Sequence, residues 1–487
     1  LNGEPVTHLP RFVVAAPGSG HGKTMIATGL MAALRARGLK VSPHKVGPDY
    51  IDPSYHGLAA GRVGRNLDPM LQGESRIVPL LLHGASTPEL ADVAVIEGVM
   101  GLFDGQLGGA GFSSTAHVAR LLSAPVVLVV DCAAASRSVG AVVHGFTTYD
   151  PEVRVAGVIL NNVASPRHDA EVRASLSRPG AGPGIPVLGV VPRLPEIVVP
   201  SRHLGLIPVA ERTPEAVAAV DALARLIAEH VDLDLLLSLA ETAPDLDASP
   251  WTPAVPELRA QACGEDSHLR TQLPTIAVFG GPAFSFTYAE NVEQVAAAGA
   301  QVVTVDPLRG DRLPDRTAAV VIGGGFPEMH LDALAANAEL LADVAAFAKA
   351  GGPVVAECAG LLYLGRALDG VPMADVVPMT AAMTKRLTLG YRRATALVDG
   401  PMVRAGEEVT GHEFHKTAVT YDEQPAQSGQ PGAPAWSWDL HDGTPATEGW
   451  VGGNVHASYL HVHGAGHPEH AERLVAAALE YAASVRA

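Results

Sequence analysis

The β-branched run Arg11–Ala16 passes without a break into Pro17-Gly18-Ser19-Gly20-His21-Gly22-Lys23-Thr24 and then into the helix-forming MIATGLMAALRARG. A strand, a glycine loop, Gly-Lys-Thr and a helix, in that order, are the context a phosphate-binding loop requires. Glycines let backbone N–H groups close on phosphate oxygens, Lys23 meets the β/γ-phosphates, and the Thr24 hydroxyl suits Mg2+. Pro17 stands where the strict pattern has glycine, so the loop is a variant. The expected ligand of Gly18, Ser19, Gly20, His21, Gly22, Lys23 and Thr24 is ATP.

Beyond that helix the strand–helix alternation repeats. Lys40–Val46 reads as a second strand, ending in Gly47-Pro48-Asp49-Tyr50-Ile51-Asp52-Pro53. Asp49 and Asp52 either form a Pro-rich turn or sit in the crevice at strand carboxyl ends where α/β sheets bind ligands. Gly61–Asp68 reads as a loop carrying Arg62 and Arg65, as solvated charge or as forks for a substrate carboxylate. Asp92–Glu97 is a third buried strand; Glu97 takes the place of the second metal-holding carboxylate of such NTPases, with Asp104 in the glycine-rich loop beyond. Pro125–Asp131, Val155–Asn162 and Pro186–Val191 are further near-continuous apolar strands of the parallel type. Asn161, at a strand terminus, is a base-reading amide or a turn residue. Cys132 reads as packing.

At 487 residues more than one core is expected. Residues 1–241 form a doubly wound, mostly parallel P-loop domain, and 242–274, rich in Pro, Asp, Ala and Ser, reads as a linker holding Cys263. A second α/β domain then occupies 275–487. Its strand Pro353–Val355 breaks at Ala356-Glu357-Cys358-Ala359-Gly360 into an apolar helix. Such a turn projects its central side chain at a helix start, where N–H groups lower a thiol's pKa. Cys358 is therefore a nucleophile or a core cysteine. Gly323-Gly324-Gly325, at an earlier strand end, form an oxyanion hole or a tight turn. His412, His415, His456, His461 and His463 crowd the remainder; none has the spacing of a structural zinc site, and a base beside Cys358 is the better use for one of them.

Composition narrows the partners. The formal net charge of −17 argues against nucleic acid and anionic membranes. An anionic substrate therefore needs a local basic pocket. Three cysteines make no disulfide framework, and the first residues lack a signal-peptide pattern, so a cytoplasmic location is expected.

Several segments together, APGSGHGKT, KVGPDYIDPSYH, GRVGRNLD, VIEGVMGLFDG, GGGFPE, AECAGLLYLG, GHEFHKT and GNVHASYLHVH, resemble the glutamine-dependent cobyrinic/hydrogenobyrinic acid a,c-diamide synthases of cobalamin biosynthesis. The resemblance spans nearly the whole chain. It implies an ATP-dependent amidoligase domain of the dethiobiotin-synthetase type followed by a class I glutaminase, with L-glutamine and a corrinoid as substrates. It places the thiolate on Cys358, its base on His461 and the oxyanion donors on Gly324 and Gly325. Class I glutaminases often carry a carboxylate two residues after the histidine; that residue is His463 here, so a Cys–His dyad is expected. ATP then lies on residues 18–24 and Asn161, Mg2+ on Thr24, Asp49 and Glu97, and the corrinoid on Asp49, Tyr50, Asp52, Arg65 and Asp104. Ammonia passes from the second domain to an acyl phosphate made in the first. Sister functions of this layout are a cobyric acid synthase, a nickel-sirohydrochlorin a,c-diamide synthase, or a partition-type switch ATPase with a non-catalytic glutaminase-like module. A homodimer is the assembly to test.

Overall fold

The computed structural model describes residues 6–177, 184–193, 201–202, 205–206, 209–211, 213–255, 273–422, 432–440 and 442–485. The chain divides into two compact units, Leu1–Thr252 and Pro253–Ala487. No helix among the described residues is long and apolar enough to cross a membrane.

The first unit is built on a seven-stranded parallel sheet. From one edge its strands are Arg65–Leu67, Val41–Val46, Val93–Glu97, Arg11–Ala15, Val126–Asp131, Val155–Val163 and Val187–Pro192. The β-branched runs pack on both faces, and Phe12, Val13, Ile96 and Leu128 are completely buried. Chain order reverses beside Arg11–Ala15, so the glycine loop opens at the switch point. Helix Lys23–Ala36 begins there after Gly22, whose φ of 88° lies in the left-handed region that favours glycine.

Arg65 is a correction. Instead of lying on a loop, it opens the short edge strand, in register with His44. Its side chain is buried. A Cβ built on Gly84 would meet His44 Cε1 at 2.7 Å and Arg65 Cδ at 2.9 Å, so both side chains lie against the helix Ile77–Ser86. Asp68, one turn on, accepts from the N–H groups of Met70 and Leu71 and starts a helix.

The stretch read as a linker is divided. Residues 256–272, with Cys263, lie outside the described residues. The earlier part belongs to the first unit: Leu246–Asp247 pairs with Val6–Thr7. Trp251 donates its N–H to Pro79 and stands edge-on to His83. Arg11 is the clamp. Fully buried at the start of its strand, it donates to the carbonyls of Leu122 (2.8 Å), Leu9 (2.9 Å) and Pro244 (2.7 Å). Burial brings its pKa down to about 10, with Asp245 opposing.

The second unit carries a six-stranded sheet in the order Gln301–Val305, Thr275–Phe279, Thr317–Ile322, Val354–Glu357, Val455–Ser458, Trp450–Gly452; only the last pairing is antiparallel. Two cores flank it. Ala277 and Phe279 point into one, Ile276 and Val278 into the other, as strand alternation requires. A second sheet is built around the long antiparallel pair Met379–Ala396 and Glu408–Tyr421. It was not foreseen in the sequence. The chain reaches it from Ser458 through Tyr459–Leu460, and His461–Val462 joins its edge beside Gly411–His412.

Replacing Arg11 with Met should strand two buried carbonyls, Leu9 and Leu122, and release Pro244 at the surface. We expect the full chain to lose about 2–4 kcal/mol of unfolding free energy in urea. A loss below about 0.5 kcal/mol would show that those carbonyls find other donors.

Candidate active site

In the first unit the loop is strapped from both sides. Asn161 Nδ2 donates to the His21 carbonyl at 3.0 Å, and His21 Nδ1 accepts the Asp131 N–H at 3.0 Å. Asn161, expected to read a base, has its amide on the loop backbone. A Cβ on Gly22 would stand 2.4 Å from that amide, so glycine is required there for space as well as for φ. Lys23 Nζ folds back on the carbonyls of Gly18 (3.1 Å) and Met100 (2.5 Å).

Behind the loop lies a buried charge cluster. Thr24 Oγ1 donates to Glu97 (2.7 Å) and lies 3.2 Å from Asp52. Lys45 Nζ, 5% exposed, is 2.7 Å from Asp52, 2.9 Å from Glu97 and 4.0 Å from Asp49. His56 Nε2 is 2.6 Å from the second Glu97 oxygen. Burial opposes ionisation of Glu97, but Lys45 and His56 overcome it and hold the carboxyl below its ordinary range. Burial and the neighbouring Asp49 push Asp52 up to about 7, against the pull of Lys45. Burial alone would lower the Lys45 pKa; Asp52, Glu97 and Asp49 more than reverse it.

This donor set fits Mg2+, with a correction to the residues expected. Thr24, Asp52 and Glu97 converge as hard oxygen donors. Asp49 instead accepts the N–H groups of Ile51 and Asp52 and fixes the start of helix Ile51–Ala60, with half-buried Tyr50 between. Asp104 is exposed and closes its own loop by accepting the Gly101 N–H at 3.0 Å. Lys45 and His56 were missed. A lysine inside a strand just ahead of the Asp49–Asp52 turn was the available signal, since lysine is almost never buried unpaired.

In the second unit strand Val354–Glu357 ends at Cys358, which takes φ 52°, ψ −102° and caps helix Ala359–Leu364. Few non-glycine residues tolerate that backbone, and such strain collects at functional turns. Gly360 keeps the turn tight: a Cβ there would lie 2.3 Å from the Ile322 carbonyl. Burial pushes the thiol up to about 12, helped by Glu328 and Glu357, while the backbone N–H groups of Ala359 and Gly325 act the other way.

Of the two expected oxyanion donors, the Gly324 N–H is committed to the Phe286 carbonyl at 3.0 Å. The Gly325 and Ala359 N–H groups are the ones that draw the thiol's pKa down. Gly324 serves by its bareness: a Cβ would stand 2.5 Å from His461 Cε1 and 3.3 Å from His461 Nε2.

Of the histidines, His461 therefore lies against the loop that serves Cys358. It is buried, stacks on His412 at 4.9 Å between ring centroids, and its pKa falls to about 3 through burial, then His415. His456 packs edge-on to Trp436. His463 Nδ1 accepts the Ala465 N–H (3.2 Å), and its Nε2 faces Glu290 at 3.6 Å. His415 lies flat on Tyr459.

Gly324→Ala should displace the His461 ring. Glutamine hydrolysis by this variant is expected to fall roughly 100-fold, the scale of an ångström's misplacement. Ammonium-driven synthesis should be unchanged. Wild-type hydrolysis would mean that His461 tolerates movement and does not meet the thiol.

Residues 12–207 match the family model described as the CobQ/CobB/MinD/ParA nucleotide binding domain, and 275–468 that of the CobB/CobQ-like glutamine amidotransferase domain. The hydrogenobyrinate a,c-diamide synthase of Streptomyces coelicolor is 51% identical, over 96% of this chain and 97% of that protein. The synthase of the same name from Thermobifida fusca is also 51% identical, over 97% and 98%. The cobyrinate a,c-diamide synthase of Gloeobacter violaceus is 42% identical, over 93% of each.

Proposed function

The chain belongs to the hydrogenobyrinate/cobyrinate a,c-diamide synthase family of glutamine-hydrolysing ligases, and from that premise we propose a residue-level mechanism and a substrate. The substrate is the metal-free corrinoid hydrogenobyrinate, amidated at its a- and c-acetate carboxylates. Identities of 49–51% to synthases named for hydrogenobyrinate, against 38–42% for those named for cobyrinate, support that choice.

The observation that carries the mechanism is the strained Cys358 turn at the start of helix Ala359–Leu364, with His461 packed against Gly324 of the glycine loop. The thiol gives its proton to His461, and the thiolate attacks the glutamine side-chain amide. Gly325 and Ala359 hold the tetrahedral oxyanion. His461 returns the proton to the departing ammonia, and water then cleaves the thioester to glutamate. In the first unit the glycine loop and Lys23 hold the ATP phosphates, and Thr24, Asp52 and Glu97 would hold Mg2+. When bound, Mg2+ neutralises phosphate charge during phosphoryl transfer. Transfer to a corrinoid carboxylate releases ADP and gives an acyl phosphate; ammonia attacks its acyl carbon and expels phosphate, leaving the amide. Lys45, between Asp52 and Glu97, offsets the charge of both acids.

Cys358→Ala should abolish glutamine-driven amidation and leave synthesis from an ammonium salt. Retained glutaminase activity would sink the assignment of the thiol. Asp52→Ala and Glu97→Ala should do the reverse, stopping ammonium-driven synthesis while glutamine hydrolysis continues. Asp49→Ala should cost less than Asp52→Ala; the opposite order would restore Asp49 as the metal-side acid. Product masses with metal-free and cobalt corrinoids test the substrate.

A further inference from the structure

In the glutaminases that this unit resembles, the carboxylate that orients the histidine stands two residues after it. Here that position is His463, whose Nδ1 accepts a backbone N–H and whose Nε2 faces Glu290 rather than His461. Position 463 therefore supplies no acid to the His461 ring.

A different carboxylate is in place. Glu357 is the last residue of the strand that ends at Cys358, and its Oε2 lies 3.8 Å from His461 Nδ1. Its Oε1 accepts the Val462 N–H at 3.4 Å, so the two oxygens face consecutive residues of the crossing strand. The other side of the imidazole, Cε1 and Nε2, faces the Gly324 loop that serves the thiol. The ring is bracketed: carboxyl at Nδ1, thiol loop at Nε2.

We propose that Glu357 is the positioning residue of this glutaminase, completing a Cys–His–Glu arrangement from the residue that precedes the nucleophile. The inference rests on the Cys358/His461 reading above. Glu357 faces the Nδ1 edge of His461 and favours the tautomer with its proton there, which leaves the Nε2 lone pair for the thiol proton. When that proton moves from Cys358 to Nε2, the imidazolium keeps its Nδ1–H and Glu357 holds its charge; no proton passes to the carboxylate. The 3.8 Å separation is that of a resting site, and such contacts tighten as charge develops.

Its surroundings suit the role. Burial raises the Glu357 pKa to about 8, with the Val462 N–H opposing. Glu357 also lines a cavity of about 80 Å3 with Asn291, Gln294, His467 and His470. The titrating groups around the pair are Cys358 and Glu328 on the thiol side, His412 and His415 beside His461, and His467 and His470 across the cavity.

The test uses the full chain with glutamine, and with ammonium as the control. Glu357→Gln keeps an oxygen for the Val462 N–H but cannot carry charge. Its glutaminase kcat should fall roughly 100-fold at a pH above the Glu357 ionisation. KM for glutamine should stay within about twofold, and ammonium-driven synthesis should match wild type. In the wild type, activity should rise as pH passes upward through the Glu357 ionisation. That rise should be lost in Glu357→Gln and partly restored, with activity, in Glu357→Asp. Unchanged kcat and pH profile in Glu357→Gln, while Cys358→Ala is inactive, would overturn the inference and spare the thiol assignment. Glutaminase activity in Cys358→Ala would overturn both. A Glu357→Gln enzyme that loses ammonium-driven synthesis too, with a lowered Tm and no rescue by Asp, would assign Glu357 a structural role and overturn the inference.

Discussion

A carboxylate taken out of water must meet a cation or a set of N–H donors, and this requirement shapes the first site in particular. In a chain of net charge −17 the first unit brings Asp49, Asp52 and Glu97 around one deeply buried ammonium. Lys45 and Glu97 face each other in register on adjacent strands, so the ion pair is a property of the sheet as much as of two side chains. Thr24 joins from the helix after the glycine loop, and His56 from the next helix. Five segments thus depend on a balance of charge at one place.

The second unit solves a different problem with little formal charge. Cys358 is held as a thiol, up at about 12, and His461 as a neutral ring, down at about 3. The counterweight to burial at the thiol is dipolar, from the backbone N–H groups of Ala359 and Gly325. A neutral resting state costs little to bury, and charge arises only as a proton moves. The two sites divide their electrostatics accordingly, permanent ions for phosphate chemistry and transient ones for acyl transfer.

How much the sequence disclosed depends on how local each feature is. The glycine loop and the Cys358 turn were legible because the residues that matter lie within ten positions of one another. Asp49 and Asp52 were both visible, but which faces Thr24 depends on the start of a helix, where Asp49 is spent as a cap. Arg65 looked like loop charge because its three-residue strand is too short to show a period. Gly324 and Gly325 were seen as a pair; only the bridge to Phe286 tells which N–H remains for the sulfur. His461 was reached through resemblance, since its strand leaves one sheet for another and no spacing announces that crossing.

The Arg11 clamp bears on where the polypeptide can be divided. Its third hydrogen bond ends on Pro244, beyond the last long helix of the first unit, and Leu246–Asp247 zips onto Val6–Thr7 just after it. A fragment stopped at Glu241, where the helical pattern ends, would leave a guanidinium buried with one arm unmet and an edge of backbone bare. Trp251 would go as well, uncovering His83. The natural point of scission therefore lies past Thr252, some ten residues later than hydrophobic periodicity alone suggests.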